Sequence, residues 1–257
     1  MSSGGSGTET SGSGDLARTL DLLWGTGQRP SRGPKPGLTL ERIVEAAIEV
    51  ADRDGIGALS MRRIASELGT GTMSLYRYVP GKAELLDLML ERVQHPHDPG
   101  DLGDGDWRSA LEALGRATLA LYRRHPWLLE VNQSRPVLGP NALDGLETVL
   151  SRIKPMGLSD PELMSAIMMI DGYVAGAART QRYQEEAERS SGLTDAQFWD
   201  AQHPYLERAM NSGRYPVLAG LSEDTFGTDF DHFEFGLQRI LDGLEEFVAR
   251  RAAGQGR

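Results

Sequence analysis

Cysteine is absent from the whole chain, which excludes disulfides, thiolate metal ligands and cysteine nucleophiles and fits a reducing compartment. No apolar run approaches the roughly 18 residues that a membrane-spanning helix needs, so no membrane partner is expected. The opening Met1-Ser2-Ser3-Gly4-Gly5-Ser6 lacks the basic and apolar regions of a secretory leader, and the expected location is the cytoplasm. Sustained strand alternation is missing too, and no repeat period is evident. There is no phosphate loop, no nucleophile–base pair and no metal-ligand cluster. The run His95-Pro96-His97-Asp98 has neither the helical nor the finger-type spacing of a metal site. Neither catalysis, a cofactor nor a metal ion is therefore expected.

Positive charge is short overall, with 27 Lys and Arg against 37 Asp and Glu, and a net charge of −10 speaks against a nucleic-acid partner. Its distribution reverses that reading. Between Arg29 and Lys82 nine basic residues face six acidic ones, while the rest of the chain holds eighteen basic and thirty-one acidic. A mildly basic module on an acidic body directs one patch at a polyanion and repels it elsewhere.

What the chain does have is helical periodicity, from Thr39 to the C-terminus. At 39% apolar residues over 257 positions there is ample material for a buried core. Residues 1–37 are expected to be a flexible arm: positions 1–14 are mostly Ser, Gly and Thr, which bury too little to fold. Asp15 to Trp24 reads either as a short docking helix or as an apolar tail. A Pro/Gly linker with Arg29, Arg32 and Lys35 follows. Leu40, Ile43, Val44, Ala47, Val50 and Ala51 make one stripe, opened by Thr39 as N-cap and stopped at Asp54-Gly55. Ser60 caps a second helix, a third covers Thr72–Val79, and a fourth runs from Lys82 to Val93. The Gly-rich stretch from His95 to Asp106 separates a first domain, 38–97, from a helical body, 107–251. In the body the longest helix opens with Asp160 as N-cap and Pro161 in its first turn. The fold class is all-α.

Residues 60–79 carry the most specific pattern. Two helices cross closely only where a small residue sits, here Ala65; the turn needs positive φ four residues later, here Gly69; and an apolar knob must re-enter the shared core, here Leu75. That spacing is the helix-turn-helix spacing, although an ordinary helical corner can also show it. The flanks narrow the choice. Ala58-Leu-Ser-Met-Arg-Arg-Ile-Ala-Ser-Glu-Leu-Gly69, then Leu75-Tyr76-Arg77-Tyr78-Val79 and Lys82, resemble the tetracycline-repressor (TetR) family from Leu38 to His97. Tyr215-Pro-Val-Leu218 and the segment from Phe233 to Leu244 resemble, more weakly, the C-terminal domain of the tetracycline repressor's own subfamily. Gly71, Thr72 and Pro80-Gly81 depart from the family's commoner residues.

The resemblance implies a three-helix DNA-binding domain followed by a ligand-binding and dimerisation domain. It implies a repressor that binds an inverted-repeat operator in double-stranded DNA as a homodimer and is released by a small-molecule effector. The alternative is an effector-independent DNA-binding or architectural module. In the implied complex the recognition helix lies in the major groove, where Thr72 and Ser74 reach base edges, Met73 meets a thymine methyl and Arg77 pairs with guanine or phosphate. Tyr76 and Tyr78 bond phosphates, Lys82 supplies a phosphate contact at a helix N-terminus, and Arg62 crosses the backbone or touches a base. Arg63 is equally well a solvated charge. Arg29, Arg32 and Lys35 form either a minor-groove arm or a solubilising linker.

Two body helices are apolar on two faces, and in the family such helices build a four-helix dimer interface. Ile167, Val174, Leu237, Ile240, Leu244 and Phe247 are the expected interface residues, unless both faces are monomer core. Trp107, Tyr122, Trp127, Met168, Tyr173 and Trp199 are expected pocket walls or plain core. Asp171 and Arg179 are polar intrusions that orient a ligand or pair across the dimer.

Overall fold

A computed structural model describes residues 8–25, 37–94, 106–222, 225 and 230–255. Helices account for its regular structure, and no strand occurs among the described residues. In chain order they are α1 (Leu16–Leu23), α2 (Leu40–Asp54), α3 (Met61–Glu67), α4 (Thr72–Leu75), α5 (Lys82–Val93), α6 (Trp107–Arg124), α7 (Pro140–Ile153), α8 (Asp160–Ser191), α9 (Asp195–Met210), α10 (Pro216–Ala219) and α11 (His232–Gln255).

The N-caps are mostly where the side chains require them. Thr39 accepts from the Arg42 N–H and Ser60 from the Arg63 N–H, each satisfying a free donor of the first turn. The long α8 begins one residue earlier than its Asp-Pro pair suggests: Ser159 is the N-cap, and its N–H donates to the Glu162 carboxylate at 2.7 Å.

Two buried cores lie along the chain. The first joins Ile43, Ala47 and Val50 of α2, Ile64 of α3, Leu75 of α4 and Leu85 and Met89 of α5. The second joins Leu111 and Leu119 of α6, Ile153 of α7, Leu163, Ile170 and Val174 of α8, and Leu237 and Leu241 of α11. One short segment of the body crosses from one core to the other. Trp127, Leu128 and Val131, expected in the body, bury themselves in the first core. A 3-10 turn at Pro126–Glu130 directs them there, and Asp52 of α2 accepts from the Trp127 indole N–H at 2.8 Å. Helices α9 and α10 bury no residue against the rest of the protomer.

The N-terminal arm also differs from expectation. Residues 8–25 are docked: Leu22 and Leu23 of α1 pack on the first core, and Thr10 bridges to Asn132. Apolar burial alone does not hold this segment. Here backbone N–H groups of a Ser/Gly segment find buried carboxylates on α5, which supply the missing attraction. Arg29, Arg32 and Lys35 lie outside the described residues.

Candidate nucleic-acid interface

The turn between α3 and α4 follows from one glycine. Gly69 has φ +62°, and the chain reverses there as the Thr70 N–H donates to the Ala65 carbonyl at 2.9 Å. Ala65 and Leu75 are buried at the crossing. The second helix is shorter than its expected span to Val79. After Leu75 the backbone tightens into a turn, with the Tyr78 and Val79 N–H groups both donating to the Leu75 carbonyl. Pro80 disfavours helical geometry at Val79 and ends the element.

This motif leaves Arg62, Met73, Tyr76 and Arg77 in solvent. Met73 is 77% exposed, an unusual state for a methionine with an apolar core close by. The Arg62 and Arg77 side chains are exposed and form no hydrogen bond or ion pair with another described residue. Thr72 and Ser74 are half-buried. Arg63 is different: it pairs with Asp54 at 2.8 Å and with Glu67 at 2.9 Å, bracing α3 against α2. Hydrogen bonds from Arg63 and Arg53 hold the Glu67 carboxyl below its usual range.

Two of the expected DNA contacts have other partners. Tyr78 spends its single O–H on the Leu38 carbonyl at 2.9 Å, tying the turn to the start of α2, and so has no donor left for a phosphate. Lys82 is held by Glu9, with Nζ 2.6 Å from Oε1. Both partners lie far away in sequence, which local patterns do not register.

The residues expected at the dimer face divide between the protomer core and the surface. Val174 and Leu237 are fully buried in the protomer, Leu244 nearly so, and Ile167 and Ile240 pack against the same core. Val174 and Leu237 therefore have no surface left for a partner, whereas Ile167 and Ile240 are only partly buried. Of the set, Phe247 is exposed, at 41%. The open apolar surface of these two helices includes Met164, Met168, Met169 and Tyr183 on α8, and Phe235 and Phe247 on α11.

The expected pocket walls lie in three settings. Trp127 belongs to the first core, and Met168 and Trp199 are exposed at 67% and 44%. Trp107, Tyr122 and Tyr173 do pack on the second core. Tyr173 stacks on Phe233 and donates to its carbonyl at 2.9 Å. Tyr122 donates to Asp171 at 2.9 Å, so that polar intrusion has its partner within the protomer; burial, and secondarily the Asp171 charge, push the phenol well above its ordinary range.

Sequence reasoning missed a polar seam between the domains. Oδ1 of Asp52 lies 2.8 Å from both the Trp127 indole nitrogen and the His125 Nδ1. From the other side, Arg182 of α8 donates to the Pro126 carbonyl at 3.2 Å and pairs with Glu130, while Arg179 reaches the Leu129 carbonyl. A short segment is thus held by α2 and α8 together. Its one sequence signal is Pro126-Trp127 directly after a helix-ending histidine, which by itself names no partner.

Residues 43–89 match the model of bacterial regulatory proteins of the tetR family, and residues 98–248 match that of the tetracyclin repressor-like C-terminal domain. Over 245 residues the chain is 75% identical to the HTH-type transcriptional repressor DrrR1 of Streptomyces coeruleorubidus, covering 95% of this chain and 91% of that one. Apo ActR of Streptomyces coelicolor superposes with a TM-score of 0.68 at 29% identity, over 85% of this chain and 100% of its own. ActR in complex with actinorhodin superposes with a TM-score of 0.67 at 31% identity, over 82% and 96%.

Proposed function

The chain belongs to the tetR family of bacterial regulatory proteins, and we propose that it acts in the cytoplasm as a homodimeric repressor that a small molecule releases from an inverted-repeat operator. The observation that carries this reading is its likeness to a transcriptional repressor along almost its entire length. Residues 38–97 bind DNA, and residues 107–251 dimerise and receive the effector. The ActR–actinorhodin complex supports a small-molecule role for such a body.

The DNA contacts come from Arg62, Thr72, Met73, Ser74, Tyr76 and Arg77, and from Lys82 once a phosphate takes the place of Glu9. Exposed arginines without partners among the described residues fit base or phosphate contact, and a solvated methionine fits a thymine methyl. Tyr78 acts indirectly, by fixing α4 against α2. The partner protomer seats on Met164, Met168, Phe235 and Phe247, the apolar surface that α8 and α11 leave open. A dimer is required because two recognition helices must stand about 34–36 Å apart to meet successive major grooves. Effector binding favours a spacing that no longer fits.

Selection of bound sequences from random double-stranded DNA, followed by sedimentation of the protein with and without the selected site, tests the proposal. An inverted repeat bound by two protomers is expected. Recovery of direct or single half-sites by a monomer would defeat it.

A further inference from the structure

The N-terminal segment is attached to the DNA-binding domain at a specific place. The Ser11 N–H donates to the Asn132 carbonyl at 3.0 Å, and the Asn132 N–H to the Glu9 carbonyl at 2.8 Å. The Ser11 hydroxyl and Gly12 N–H donate to Asp87, at 2.7 and 3.1 Å, and the Asp15 N–H to Glu84 at 2.8 Å. Asp87 and Glu84 both lie on α5 and are buried by this contact. Gly14 sits so close that an added Cβ would stand 2.4 Å from Glu84 Oε1. The segment therefore joins α5 of the first domain to the turn at Asn132 in the second. It also fixes the position of Glu9, whose carboxylate lies 2.6 Å from the Lys82 ammonium at the start of α5.

We propose that residues 8–23 form an intramolecular gate on the DNA-binding face, in which Glu9 holds Lys82 until an operator phosphate displaces it. This rests on the reading of Lys82 as a phosphate contact. A carboxylate and a phosphate oxygen compete for the same ammonium, so the operator must break the Glu9 pair before Lys82 can serve it. Both partners are about one-third exposed, so the pair is weak enough to exchange. The docked backbone keeps Glu9 in place without helping to hold the DNA.

A mutant cycle on the full-length protein tests the gate. The probes are a selected operator duplex and the variants Glu9→Gln, Lys82→Ala and the double variant, each titrated over a range of salt. Glu9→Gln should tighten operator binding about two- to fivefold and steepen the salt dependence by about one counterion per protomer. In the Lys82→Ala background the gain should vanish. Gly14→Val, which expels the segment from Glu84, should reproduce the gain. Amide exchange in the DNA-free protein should show Ser11, Gly12 and Asp15 protected.

Lys82→Ala without effect on affinity would remove the phosphate reading and the gate together. Loss of affinity in Lys82→Ala, with Glu9→Gln equal to wild type, would keep Lys82 as a DNA contact and overturn the gate alone. A gain that persists in the double variant, or free exchange of the three amides, would also overturn it.

Discussion

Trp127 donates its indole N–H to Asp52 across the domain boundary, at 2.8 Å, from a side chain that is 1% exposed. The same carboxylate oxygen lies 2.8 Å from His125 Nδ1. One acceptor on α2 thus anchors the segment that α8 grips through Arg182. A contiguous path of buried and hydrogen-bonded groups thus runs from α8 to α2.

Trp127→Phe keeps most of the packing and removes the indole donor. The expected cost is about 1–2 kcal/mol in urea unfolding, with Trp127→Ala costing about 3–5 kcal/mol through the cavity. Equal stability of wild type and Trp127→Phe would mean that the Asp52 contact contributes nothing.

At the recognition turn, Arg77→Ala and Tyr76→Ala should each weaken operator binding by about 1–3 kcal/mol without lowering the unfolding midpoint. Tyr78→Phe should show the reverse pattern. Its hydroxyl is engaged with Leu38, so the main loss is stability, by about 1 kcal/mol, from the unpaired carbonyl. Paired DNA-binding titrations and thermal melts separate the two classes, and a large affinity loss in Tyr78→Phe with unchanged melting would contradict the assignment.

The dimer face is tested by contrasting exposed with enclosed residues. Met168→Glu and Phe247→Glu should give folded monomers of unchanged helicity that lose specific operator binding. Leu237→Ala should instead destabilise the protomer by about 2–5 kcal/mol while leaving the native assembly dimeric. Sedimentation equilibrium together with denaturant unfolding reads both. Dimers from both glutamate variants would place the partner elsewhere.

Acid should loosen the start of α8. Glu162 accepts from the Ser159 hydroxyl, pairs with Arg251 of α11 and accepts the Ser159 N–H, and these contacts lower its pKa from an ordinary 4.5 to about 2. A carboxyl whose folded value is depressed adds stability that is complete above the unfolded value. That contribution therefore holds at neutral pH and fades as pH falls from about 4.5 towards about 2. Glu162→Gln should flatten the pH dependence of the melting temperature in that window and not above it. An unchanged acid limb in the variant would show that the pair is energetically silent.

Local chemistry made the recognition module legible from the amino acids alone. Helical spacing, Thr39 and Ser60 as caps, Gly69 at the reversal and Ala65 and Leu75 at the crossing are all specified by residues within one or two turns of each other. The all-α class and the exposed Arg62, Met73, Tyr76 and Arg77 follow from the same short-range patterns. Tertiary structure decided what those patterns leave degenerate. A helix apolar on two faces does not declare which face turns inward; packing of α6 and α7 enclosed Val174, Leu237 and Leu244 and left Met168 and Phe247 outside. Polar atoms likewise take whatever partner the fold brings near: Leu38 for Tyr78, Glu9 for Lys82, Asp52 for Trp127. Those partners stand 40, 73 and 75 positions away along the chain, where periodicity carries no information and proximity in space alone sets the bond.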